Sequence, residues 1–122
     1  DVCSSDLVCV YDTRPDAAAV AKDKLASSLS ALVTKGKMTA EAVQALLQRI
    51  TPVAHLRDAA HVTLVVEAIV ENLPVKRTLF QELEGLVGND CILATNTSSL
   101  PIGGLLACLI PSLKRTLCIS AP

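Results

Sequence analysis

Glu71, Asn72 and Lys76 close one apolar run of this chain, and Thr95, Asn96, Thr97, Ser98 and Ser99 close another. The first segment, residues 64–76, reads LVVEAIVENLPVK; the second, residues 91–100, reads CILATNTSSL. In an open α/β sheet, ligands bind beyond the carboxyl ends of the strands, so these two bursts are where chemistry is expected. A carboxylate and an ammonium there can bind ribose hydroxyls and other polar cofactor groups. Five consecutive hydrogen-bonding side chains can form a polar rim around a reacting carbonyl. A third apolar run, LVCVYD at 7–12, ends in Asp12. An acid at that place in a dinucleotide fold accepts from the ribose hydroxyls and favours NAD over NADP, and the nearby Arg14 leaves a small opening for a 2′-phosphate. Each feature also fits an ordinary role: a strand-end turn for Asp12, a solvated loop for 71–76, and a cap at Ser99 for a helix near Pro101.

These groups must be held by a small apolar body. A chain of 122 residues implies one domain, and 51% apolar content is ample for a core. Tyr11 and Phe80 are the only aromatic residues, so that core is aliphatic and alanine-rich. A net charge of -1 gives no electrostatic case for nucleic acid or a membrane surface. No apolar run reaches the roughly 18–20 residues of a membrane span, because Glu67 and Glu71 interrupt the longest. The five cysteines are odd in number and show no C-x-x-C spacing, which argues against zinc and for a reducing compartment, bacterial cytoplasm or mitochondrial matrix. Residues 1–7, DVCSSDL, carry no element signal and are expected to be a non-native leader.

Strands and helices alternate along the rest. Residues 7–12 read as a buried parallel strand. A long helix runs from Pro15 to about Lys35, with Ala21, Leu25, Leu29 and Leu32 as its inward stripe and Gly36 as its stop. Thr39 caps a second helix whose Val43, Leu46 and Leu47 face inward. Strands are expected at 50–53, 62–70, 91–95 and 115–120. Helices are expected from Pro74 to Gly88, with Val75, Leu79, Leu83 and Leu86 inward, and at 101–109. This alternation predicts an α/β fold with a doubly wound parallel sheet. Glu67 stands out within its apolar strand, since a buried carboxylate is costly unless paired.

The wording of VEAIVENLPVK and CILATNTSSL resembles the NAD-binding domain of the L-3-hydroxyacyl-CoA dehydrogenase family, over residues 8–109 and most strongly over 64–100. The resemblance implies a Rossmann-like fold, NAD as cofactor, a 3-hydroxyacyl-CoA as substrate and a homodimeric parent enzyme of fatty-acid β-oxidation. It implies that Glu71 and Lys76 contact NAD, with Ala68 and Ile69 along the cofactor's path. It places Ser98 on the substrate oxygen, as the catalytic residue carried here, with Asn96 close by. Ser28 and Lys35, seven apart on one helix face, map to residues that meet coenzyme A. His55 and His61 match no catalytic position of the family.

Two departures qualify the resemblance. Among the 122 residues there is no G-x-G-x-x-G, the loop whose amides hold the pyrophosphate, so residues 8–122 are expected to form a partial NAD-binding domain missing the first strand and that loop. The family's His-Phe-Phe-Asn-Pro, whose histidine is the general base, is matched by Cys118-Ile119-Ser120-Ala121-Pro122. By itself the fragment is therefore expected to bind NAD weakly and to be inactive. A catalytically dead, crystallin-like relative is the competing expectation. A different Rossmann dehydrogenase is a third, opposed by Ser28 with Lys35 and by the VEAIVEN wording.

Overall fold

The computed structural model describes residues 7–97 and the backbone of residues 116–118. Five strands and three α-helices appear in the order β1 (Val8–Val10), α1 (Ala17–Thr34), α2 (Ala40–Gln48), β2 (Ile50–Pro52), β3 (Leu64–Glu67), α3 (Leu73–Leu86), β4 (Ile92–Thr95) and β5 (Thr116–Cys118). Among the described residues every ladder is parallel. The alternation read from the sequence is therefore the α/β architecture found, and the helix expected at 101–109 lies outside the described residues. The chain divides into two compact units, residues 1–59 and 60–122.

In the first unit, β1 and β2 form a two-stranded sheet with Val8 opposite Ile50 and Val10 opposite Pro52. Helix α1 begins at Ala17, two residues after Pro15. Its N-cap Asp16 adopts a left-handed conformation (φ 61°), which Asp tolerates better than most residues. The inward face of α1 is not the one expected. Ala18 and Leu29 are buried, with Lys22, Ala26, Leu32 and Val33 half-buried between and beyond them, whereas Ala21 and Leu25 are exposed. The stripe turned because a lysine belongs to it. Lys22 lays its methylenes along the inner face and donates from Nζ to the Ile50 carbonyl at 2.6 Å. Helix α2 starts as expected, with the Thr39 hydroxyl accepting from the Ala42 N–H at 3.2 Å. Val43 is buried there, and Leu46 and Leu47 are half-buried.

In the second unit, β4 lies between β3 and β5, with Val66 opposite Ala94 and Ala94 opposite Leu117. This middle strand is covered on both faces: Leu93, Ala94 and Thr95 are each 0% exposed. Helix α3 is capped by Asn72, whose side chain accepts from the Val75 N–H at 3.2 Å, and Pro74 sits in its first turn, where a missing N–H costs nothing. Its buried residues are Lys76, Phe80 and Leu83, with Val87 just beyond, while Val75 is exposed. Here too a lysine takes an inward position that an apolar pattern cannot reveal.

The strand expected to be buried at 7–12 is in large part exposed, at Leu7, Val8 and Cys9. Leu64 and Val66 of β3 are also exposed, while Glu67 between the faces is not. The reason is shared: β1 and β3 each carry one ladder among the described residues, and an apolar strand is covered on both sides only inside a sheet.

Candidate functional site

Glu67 is the last residue of β3, and the next five residues carry the chain from strand to helix. Its carboxylate organises that turn. Oε1 accepts from the Ile69 N–H at 2.6 Å and from Lys76 Nζ at 2.6 Å; Oε2 accepts from the Thr95 hydroxyl at 2.7 Å. Lys76 Nζ also donates to the Ile69 carbonyl at 3.4 Å. Glu67, Lys76 and Thr95 are buried at 3%, 0% and 0% exposure. The cost of burying a carboxylate and an ammonium is offset only because each is paired and hydrogen-bonded further. The carboxylate that looked unpartnered in the sequence thus has three donors. The signal for one of them was available: Lys76 is the first cation of the helix that follows.

The two loops beyond β3 and β4 are tied together twice. The Glu67 carbonyl accepts from the Asn96 N–H at 2.8 Å, extending the ladder by one step. The Thr97 hydroxyl donates to Glu71 Oε2 at 2.8 Å. A tight turn, Asn72 N–H to the Val70 carbonyl at 2.7 Å, completes the frame. Behind it sits the buried ion pair. On its surface, Ala68, Ile69, Glu71 and Asn96 are exposed together at the carboxyl ends of the strands. Of the residues singled out by resemblance, these four share one surface, and Lys76 lies beneath it. Ser98 lies outside the described residues. Cys118 is the register partner of Thr95 at the end of β5, so the residue matched to the family's histidine aligns with the first residue of the Thr95–Ser99 run.

The first unit holds a separate feature. Tyr11, Asp12, Thr13, Arg14, Pro15, Asp16, Ala18, Ala19 and residues 52–54 line a concavity of about 390 Å³ at the carboxyl ends of β1 and β2. Asp12 is gripped there by one neighbour. Oδ1 accepts from the Arg14 backbone N–H at 2.8 Å and from Nε at 3.1 Å, and Oδ2 accepts from the terminal guanidinium nitrogen at 3.0 Å. The Arg14 side chain holds the Asp12 carboxyl down at about 2, from an ordinary 3.8, and the carboxylate raises Arg14 in return. A depressed carboxylate stabilises the fold above its unfolded value, so this contribution is complete above about pH 4 and is lost as pH falls through about 2. A carbon-detected NMR titration should find the Asp12 midpoint near 2 and, in Arg14→Ala, a higher one that stays below 3.8, because the backbone N–H of residue 14 still donates to the carboxylate. A wild-type midpoint already near 3.8 would show that the pair does not form in solution.

Ser28 is exposed on α1 and Lys35 is exposed at its C-cap, just past the last helical residue; the Ser28 hydroxyl donates to the Lys24 carbonyl one turn back, at 3.0 Å. Of the five cysteines, Cys9 is exposed and Cys91 is buried; burial pushes the Cys91 thiol up, away from the reactive thiolate. Among the described residues, no helix is long and apolar enough to cross a membrane.

Comparison with known proteins decides what this arrangement belongs to. Residues 4–116 match the family described as 3-hydroxyacyl-CoA dehydrogenase, NAD binding domain. The chain belongs to that family. It is 39% identical over 93 residues to the probable 3-hydroxybutyryl-CoA dehydrogenase of Bacillus subtilis, an overlap of 76% of this chain and 32% of that protein. It is 47% identical over 74 residues to the fatty acid oxidation complex subunit alpha of Psychrobacter arcticus, covering 61% of this chain and 10% of that protein. Among solved structures, 3-hydroxybutyryl-CoA dehydrogenase from Escherichia coli K12 superposes with a TM-score of 0.87 at 35% identity, over 93% of this chain and 24% of that one. The chain thus spans between about a tenth and a third of the curated relatives it matches.

The fold is the Rossmann type and the family's cofactor is NAD. The residues present fit that cofactor in part. An ionised acceptor, Asp12, lines a concavity at a strand's carboxyl end, and a hydrogen-bonded loop pair with exposed Ala68, Ile69, Glu71 and Asn96 lies at the carboxyl ends of β3 and β4. The sequence contains no G-x-G-x-x-G for the pyrophosphate.

Proposed function

We propose that this chain is the nucleotide-binding part of an enzyme that oxidises a 3-hydroxyacyl-CoA to the 3-ketoacyl-CoA, in fatty-acid oxidation. The observation that carries the reading is the loop pair beyond β3 and β4, fixed from behind by Glu67, Lys76 and Thr95 and exposing Ala68, Ile69, Glu71 and Asn96. NAD, when bound, supplies the hydride acceptor. Asp12 accepts from the adenosine ribose hydroxyls, and Glu71 from polar groups further along the cofactor. Ala68 and Ile69 give the cofactor an apolar wall. Lys76 acts from below, fixing Glu67 and the Ile69 carbonyl and through them the loop. Asn96 and Ser98 orient the substrate oxygen, and Ser28 and Lys35 meet coenzyme A.

Cys118 favours a second reading, a catalytically silent relative that binds nucleotide without turnover. The sequence resemblance matches it to the family's histidine, and none of residues 118–122 can take up the hydroxyl proton as a histidine does. Nucleotide-binding and turnover assays on the polypeptide encoded by the source gene, with NAD and a short-chain 3-hydroxyacyl-CoA, separate the two. Formation of reduced cofactor is the result expected of the dehydrogenase. Binding of NAD with no turnover would move the assignment to the silent relative, and no binding at all would sink both.

A further inference from the structure

We infer that Arg14 sets how the adenosine pocket treats the ribose 2′ position, and that it lets the pocket accept a 2′-phosphorylated adenosine nucleotide as well as the unphosphorylated one. This rests on the reading that the concavity beside Asp12 takes the cofactor's adenosine. A carboxylate offers about four lone-pair sites. Arg14 fills three of them, two on Oδ1 and one on Oδ2. A ribose diol donates two hydrogen bonds, so it can dock on Asp12 only if the guanidinium yields at least one position.

The two partners differ in their freedom to yield. The Arg14 side chain is 79% exposed and the Asp12 side chain 33%. Asp12 is also held by the Arg14 backbone N–H, a contact that survives when the guanidinium leaves. The arginine is therefore the part that swings, and once displaced it remains tethered two residues away at the rim of the same concavity. A 2′-phosphate entering there meets carboxylates of Asp12 and Asp16, which line the concavity and repel it. Arg14 is the cation among the lining residues. A guanidinium presents a planar fork suited to phosphate as well as to carboxylate, so it can exchange Asp12 for the phosphate and screen the remaining charge. Asp12 alone would exclude the 2′-phosphate; Asp12 with Arg14 makes the exclusion weak.

The test is an NMR titration of the chain with two probes that differ only at this position, 5′-AMP and adenosine 2′,5′-bisphosphate. For the wild type, both should shift the Asp12, Arg14 and Ala18 amides, with affinities within about tenfold of each other. Arg14→Ala should weaken the bisphosphate by roughly tenfold or more while leaving 5′-AMP as tight or tighter, since a charge-assisted fork is lost and a competitor for Asp12 removed. Arg14→Lys, which keeps the charge and loses the fork, should fall between. An Arg14→Ala variant that binds both probes with an unchanged ratio would overturn the inference and leave the adenosine pocket standing. Absence of amide shifts with either probe in the wild type would overturn the pocket as well.

Discussion

Lys76→Met is expected to destabilise the protein by about 3–5 kcal/mol, the range for breaking a buried ion pair from one side. Methionine follows the lysine chain as far as Cε, with sulfur in place of Cδ and no ammonium, so the loss comes mainly from the missing charge. Glu67 would retain the Ile69 N–H and the Thr95 hydroxyl, two neutral donors for a carboxylate that is 3% exposed. The loss comes chiefly from stranding that charge, and the double variant Glu67→Gln/Lys76→Met should therefore recover most of it. Replacing both members of a buried pair is often close to neutral. Denaturant unfolding of the wild type and both variants checks this. A single variant within about 1 kcal/mol of wild type would show that the pair is solvated or unformed. Amide exchange gives a second readout, because the loop at 68–72 depends on the same carboxylate. Its Ile69 amide should lose protection in Glu67→Ala.

This network also marks the boundary of what the residue string discloses. The α/β class, the parallel strands, the Thr39 cap and the position of α2 follow from local rules: period, cap and breaker residues act within a few positions of themselves. The faces of α1 and α3 do not. Lys22 and Lys76 point inward because each ammonium finds an oxygen far away in sequence or across a turn, the half-buried Ile50 carbonyl for one and the buried Glu67 carboxylate for the other. An apolar-stripe argument excludes lysine from such positions and so rotates the helix. The exposed strand β1 fails for a different reason. Apolar content shows that both faces can be buried, but the number of ladders a strand has is a property of the assembled sheet. Site residues were legible as types at strand ends. The grip of Arg14 on Asp12 and the support of Glu71 by Thr97 were not, because they depend on side-chain conformations that spacing leaves open.

In the dehydrogenase proposed above, Ser98→Ala is expected to lower kcat by about 10²–10³-fold, the effect of removing a donor from the oxygen that gains charge in a transition state. Such a donor contributes only if it is already aimed, and the described residues just before it give a reason to expect that. The Asn96 N–H is bound to the Glu67 carbonyl, and the Thr97 hydroxyl to Glu71. Two consecutive residues just before Ser98 are thus pinned to the neighbouring loop. Thr95 is pinned as well, through Glu67 Oε2. The effect should fall on kcat more than on KM, since the bond strengthens as charge develops on the oxygen. Thr97→Val tests the frame separately: it leaves the Ser98 hydroxyl in place and removes one anchor, so kcat should fall by a smaller factor. Equal kcat for wild type and Ser98→Ala would reduce the serine to part of a helix cap, and the polar rim beyond β4 would then need another donor.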